Sequence, residues 1–116
     1  MKVKSFTPEM SKKEVVYEIP CQDCDSVYIG ETGRSLERRI TEHKYAVKTG
    51  DGKNGVAVHA WDEEHRMDWE GAKSLEYKPN YWKRRVLEAI WIKKTSINSN
   101  LDCGLTLNQT WLAYID

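Results

Sequence analysis

Five residues suited to phosphodiester chemistry fall in order along this 116-residue chain: Tyr17, Tyr28, Arg39, His43 and, much later, Glu88. A guanidinium is planar and forks two phosphate oxygens at once. A carboxylate holds a divalent cation, and magnesium keeps much of its water when bound this way. A phenol has a pKa near 10, so it accepts a proton only when a neighbouring arginine or metal ion stabilises the phenolate. Each residue also has an ordinary role. Strand tyrosines mostly pack across a sheet. An arginine mostly makes an ion pair, and a histidine on an apolar stripe is mostly a hydrogen-bonded core residue.

A second group has the spacing of a metal site. Cys21, Cys24, His59 and His65 give C-x2-C-x34-H-x5-H, four ligands for tetrahedral zinc. Four protein ligands leave no position for water, so such a zinc is structural. The alternative is two free cysteines in a turn and surface histidines in an acidic loop. Cys103 has no partner in this scheme and reads as a lone thiol.

The elements that must position these residues follow from patterning. Glu14 to Ile19, rich in Val and Tyr, reads as a strand. Cys21 to Asp25 is a turn, and Ser26 to Gly30 is a second strand, so the two form a hairpin. Glu31 to Arg34 is a loop and Ser35 an N-cap. The helix that follows runs to about Thr49 and stops at Gly50-Asp51-Gly52. Within it Leu36, Ile40, His43 and Val47 repeat on one face, which puts His43 on the buried stripe. Arg39 and Ala46 flank that stripe, whereas Arg38 is turned away by roughly 100°. Arg39 and His43 are i, i+4 neighbours.

Asn54 to about Glu63 reads as a short helix and Lys73 to Tyr77 as a third strand. Pro79-Asn80 opens a long helix ending near Thr95. Its predicted core stripe is Trp82, Val86, Ala89, Ile90 and Ile97, extended by Leu87 and Trp91 on one side and Ile92 on the other. Glu88 projects between Trp91 and Ile92. A carboxylate there must be paired, with Arg84 or Arg85, or metal-bound, because an uncompensated buried charge is costly. Asn98 to Gly104 is a loop, and the tail is ambiguous between short helix and coil. The expected fold is α+β: a small three-stranded, mainly antiparallel sheet flanked by helices. Residues 1–12 form a flexible polar segment, and residues 13–116 form one domain.

Composition fits a globular domain, with 40% hydrophobic and 31% charged residues. No apolar run approaches membrane-spanning length, and the N-terminus lacks a secretory core. Three cysteines, an odd number, argue against a disulfide framework and for a reducing compartment. The formal net charge is zero, so no global basic field exists. Local balance is uneven: +3 over residues 34–53, −4 over residues 62–76 and +5 over residues 78–94. Arg34 and Arg38 in the first basic segment, and Lys83, Arg84 and Arg85 in the second, are candidates for contacting a nucleic-acid backbone. The alternative is solvated helix faces.

Val15-Val16-Tyr17, then Tyr28-Ile29-Gly30, followed by Arg39, His43 and Glu88, resembles the GIY-YIG nuclease family, with Val15 where the family name has Gly. More narrowly, Ile19-Pro20-Cys21, Cys24, Tyr28-Ile29-Gly30-Glu31-Thr32-Gly33-Arg34-Ser35-Leu36 and Glu42-His43 resemble the endonuclease domain of Penelope-like retroelements. The resemblance runs from about Glu14 to about Trp111. It implies a role for Tyr28 as general base and for Tyr17 in positioning the attacking water. Leu36, Arg39 and His43 match the family's spacing. Glu88, ahead of an apolar pair, matches the acid that holds Mg²⁺ or Mn²⁺, and Asn100 matches an asparagine that supports the site. Penelope-type domains carry a Cys-Cys-His-His set, which favours Zn²⁺ at Cys21, Cys24, His59 and His65.

The implied activity is a divalent-metal-dependent DNA endonuclease. It would be a nickase that leaves a 3′ hydroxyl for target-primed reverse transcription, beside a reverse transcriptase domain, in the nucleus. Two other classes stay open: a catalytically idle zinc module that binds nucleic acid, and a GIY-YIG enzyme of repair or recombination acting on branched or damaged duplexes.

Overall fold

The computed structural model describes residues 8–95. The order is α1 (Pro8–Ser11), β1 (Val15–Pro20), β2 (Val27–Thr32), α2 (Leu36–Thr49), α3 (Gly55–Asp62), a 3₁₀ turn (Trp69–Gly71), β3 (Lys73–Tyr77) and α4 (Tyr81–Lys94). The strands form one sheet in the order β2-β1-β3. Both pairings are antiparallel. This is the expected α+β architecture. Cys103, Asn100, Ile97 and the tail lie outside the described residues.

β1 is the central strand, and its alternation divides the core in two. Val15, Tyr17 and Ile19 pack on one face with Leu36 and Ile40 of α2 and Val56 of α3. Val16 packs on the other face with Ile29, and with Leu87 and Ile92 of α4. Tyr17 stands opposite Gly30, and Ile19 opposite Tyr28, so the register places both tyrosines on the α2 face.

Local chemistry fixes the helix starts. Ser35, Asn54 and Asn80 each accept a hydrogen bond from the backbone N–H three residues on, at Arg38, Ala57 and Lys83. Such caps satisfy donors that a helix leaves orphaned at its start. Gly50 ends α2 in the left-handed conformation, and its N–H bonds to the carbonyls of Ala46 and Val47.

Two details depart from the sequence patterning. Part of the polar N-terminal segment forms α1, where Glu9 accepts from the Ser74 N–H at 2.5 Å and the Ser74 hydroxyl at 2.6 Å. Trp82 is not core: it is 59% exposed. The inward position in the first turns of α4 belongs instead to Arg84, whose guanidinium bonds the carbonyls of Lys78 and Pro79.

Candidate active site

Three rings meet where β1, β2 and α2 converge. Tyr28 and His43 have ring centroids 5.2 Å apart, Tyr17 and His43 6.0 Å, and Tyr17 and Tyr28 6.5 Å. Tyr17 Oη is 2.7 Å from His43 Nε2, and Arg39 Nε donates to the same oxygen at 3.2 Å. Gly30 makes the crowding possible. A β-carbon there would lie 2.5 Å from Tyr17 Cζ and 3.0 Å from Tyr28 Cε2.

The hydrogen bonds continue both ways. Arg39 Nη1 donates to Glu42 Oε1 at 3.0 Å, and Arg34 Nη2 pairs with Glu42 Oε2 at 2.5 Å. On the other side, His43 Nδ1 meets the Asn54 side-chain amide, with Oδ1 at 3.2 Å and Nδ2 at 3.1 Å. One connected chain therefore runs Arg34–Glu42–Arg39–Tyr17–His43–Asn54.

Electrostatics sort the protonation states. Burial pushes the Tyr17 phenol well above its ordinary value, reinforced by Tyr28 and opposed by Arg39. Tyr17 is thus a neutral phenol. Burial and then the Arg39 charge push His43 down to about 4, so it is neutral at pH 7 and carries a single ring N–H. Burial works against the Arg39 charge, but Tyr17, Glu42 and Tyr28 outweigh it and hold the guanidinium protonated. Burial raises Glu42, yet Arg39 and Arg34 bring it below the usual carboxylate range.

Glu88 approaches from α4. Its carboxylate is half-buried, and Arg85 Nε lies 3.4 Å from Oε1. Its charge is felt at Tyr17, which places it within electrostatic reach of the tyrosine cluster. A half-buried carboxylate is the type of ligand through which magnesium or manganese binds, with one or two carboxylates, water and substrate phosphate.

Cys21, Cys24, His59 and His65 converge just beyond the C-terminal end of β1, with ligand atoms all within 4.8 Å of one another. Cys21 ends the hairpin's first strand and bridges to Met67. His59 comes from α3. His59 Nε2 is 3.4 Å from Cys21 Sγ, 3.6 Å from Cys24 Sγ and 3.4 Å from His65 Nδ1, and His65 Nδ1 is 3.5 Å from Cys21 Sγ. Ligands bound to zinc at about 2.0–2.3 Å span tetrahedral edges of roughly 3.3–3.8 Å, and these four separations fall in that range while the whole set lies within 4.8 Å. Hydrogen bonding to Ser26 lowers the Cys24 thiol to about 6, giving the thiolate that zinc binds. Burial pushes the Cys21 thiol up.

The family model of the GIY-YIG catalytic domain matches residues 13–101. This chain belongs to the GIY-YIG family. Membership makes it a nuclease domain, with DNA as the implied substrate. No curated protein and no solved structure matches the chain.

On the GIY-YIG frame, Tyr17, Tyr28, Arg39 and His43 are brought into one cluster, with Glu88 on α4 within electrostatic reach of Tyr17. The candidate backbone contacts divide. Arg38 and Lys83 are exposed. Arg34 is exposed but tied to Glu42, and Arg85 lies between Tyr81 and Glu88. Arg84 is a correction: it is 5% exposed and donates to Glu31 at 2.6 Å, so it is an internal strut and not a DNA-facing cation. The sequence reading missed Asn54 and Glu42 as members of the hydrogen-bonded chain. The signal for Glu42 was its i, i+3 spacing from Arg39. The signal for Asn54 was only its cap.

Proposed function

We propose that this GIY-YIG domain is a divalent-metal-dependent endonuclease that nicks DNA and leaves a 3′ hydroxyl. We further propose that it belongs with the endonuclease domains of Penelope-like retroelements, next to a reverse transcriptase domain in a nuclear protein. The observation that carries the catalytic reading is the convergence of Arg39 and His43 on one tyrosine oxygen, with the Glu88 charge in reach.

In this reading Arg39 stabilises negative charge on the phosphate as it is attacked. The same guanidinium interacts electrostatically with Tyr28, the residue that in this reading takes the proton of the attacking water. Tyr28 is the partly exposed member of the tyrosine pair, whereas Tyr17 is fully buried. Tyr17, neutral and fastened by His43 and Arg39, orients the water and keeps the Arg39 fork aimed. Glu88 would hold the divalent ion, which supplies Lewis-acid stabilisation of the leaving oxygen when bound. Asn100, by family position, would support the site. Zinc at Cys21, Cys24, His59 and His65 would be structural.

The test is conversion of supercoiled plasmid to open circle with Mg²⁺ or Mn²⁺ and with EDTA, for the wild-type chain and Glu88→Ala. Metal-dependent nicking by wild type alone is the expected result. Equal nicking by Glu88→Ala would overturn the metal assignment, and linear product without an open-circle stage would overturn the nickase.

A further inference from the structure

Among the described residues the large exposed aromatics are Tyr45, Trp61, Tyr77, Tyr81 and Trp82, and Tyr81–Trp82 is the pair of them whose rings meet. Trp61 is 59% exposed, but its indole N–H donates to the Val47 carbonyl at 2.7 Å and its ring lies against Gly50. Trp69 is half-buried against the core, under Lys44. Tyr81 and Trp82 stand out because they are adjacent. They are 48% and 59% exposed, side by side with ring centroids 5.4 Å apart at 69°, in the first turn of α4.

The pair is built differently from a stray surface patch. The Arg84 and Arg85 guanidiniums lie over Tyr81, at 5.7 Å and 5.9 Å from its centroid. Arg85 Nη1 also donates to Tyr81 Oη at 2.9 Å. Tyr81 is thereby fixed as a buttress, and the Trp82 indole stands edge-on to it. Arg85 also reaches Glu88. Tyr81, Arg85 and Glu88 are spaced i, i+4, i+7 and so share one face of α4. At 1.5 Å per residue, Tyr81 and Glu88 are roughly 10 Å apart along the helix, about three nucleotides of stacked strand at 3.4 Å each. Lys83, next in sequence to the pair, is exposed, and Arg85 reaches from Tyr81 towards Glu88.

We propose that Tyr81–Trp82 is a stacking site for an unpaired base of the strand being cut, within about three nucleotides of the scissile phosphate. A base inside an intact duplex has both faces covered by its neighbours. Only a base out of the stack offers a face to Trp82, so the pair selects phosphates beside an opened or distorted duplex. The cations supply the sequence-independent attraction to the backbone, and the indole supplies the structural preference. The proposal rests on the nuclease reading for the identity of the ligand. Its test measures binding without cleavage, so the two fail separately.

Fluorescence anisotropy in EDTA would compare a matched duplex with the same sequence carrying a short unpaired bubble, for wild type, Trp82→Ala and Trp82→Phe. Wild type should bind the bubble about tenfold tighter, the scale of one stacked base. Trp82→Ala should bring the ratio near one, and Trp82→Phe should restore most of it. No bubble preference in wild type, or a preference that Trp82→Ala leaves intact, would overturn the proposal.

Discussion

Gly30→Ala tests whether the tyrosine cluster is held by close packing. Gly30 and Tyr17 are directly opposed on β2 and β1. The new β-carbon would lie 2.5 Å from Tyr17 Cζ, where ordinary contact begins near 3.4 Å. The ring must therefore retreat by about 0.9 Å to reach van der Waals contact. Tyr17 is fully buried and tied by Oη to His43 and Arg39, so no free space takes up the shift. Overpacking of this kind costs about 1–3 kcal/mol, or roughly 5–20 °C in melting midpoint for a domain of this size. Cutting should suffer more, because a displacement near 1 Å in a positioned group costs on the order of a hundredfold. Single-turnover nicking and thermal melting would be measured together. Gly52→Ala, whose β-carbon meets nothing within 4 Å, serves as control. A Gly30→Ala variant that nicks within twofold of wild type would refute the claim that this approach sets the position of Tyr17.

Glu42→Gln should lower the nicking rate by roughly ten- to a hundredfold with little change in DNA affinity, because it loosens Arg39 without removing it. Adding Arg34→Ala to that variant should cost much less than Arg34→Ala alone, a coupling that a double-mutant cycle reads directly. Cys21→Ser should lose bound zinc and melt well below wild type, since a structural zinc contributes folding energy. Retention of one zinc per chain by that variant, measured by metal analysis, would reject Cys21 as a ligand. His43 gives a pH signature. Its folded value of about 4 lies below its ordinary 6.5, so the unfolded chain binds the extra proton between these values. Its contribution is intact above pH 6.5 and is lost as the pH falls to 4, by about 1.4 kcal/mol per pH unit at most. Melting curves of wild type and His43→Gln from pH 4 to 7 should converge as the pH falls. Parallel curves would contradict the assignment.

Much of this frame is written locally in the chain. Ser35, Gly50 and Pro79-Asn80 mark helix ends by their own chemistry, and the alternation in Val15–Ile19 and Lys73–Tyr77 marks strands. Arg39 rather than Arg38 follows from helical phase alone. The reading fails where the partner is distant in sequence. Arg84 turns inward because Glu31, on another element, neutralises it, a partner that helical phase does not reveal. Trp82 turns outward for the complementary reason, although its apolar mass assigned it to the core. Asn54 marks the start of the short helix read from Asn54 to about Glu63, and it caps α3. Its bond to His43 appears only when α2 and α3 are packed together.

Helix α3 has a consequence for how the two clusters are joined. At eight residues it is too short to persist by itself in water, and it is moored at two places belonging to different sites. Asn54 at its start holds His43, and His59, more than a turn later, faces the two cysteines. Neither mooring can be slackened without loosening the other. Coupled equilibria are reciprocal, so an ion held at the cysteines and alignment of the tyrosine oxygen would each strengthen the other to the same extent, insofar as α3 transmits between them. A helix of this length thus ties the Cys-Cys-His-His cluster to the ring cluster through a single short segment of backbone.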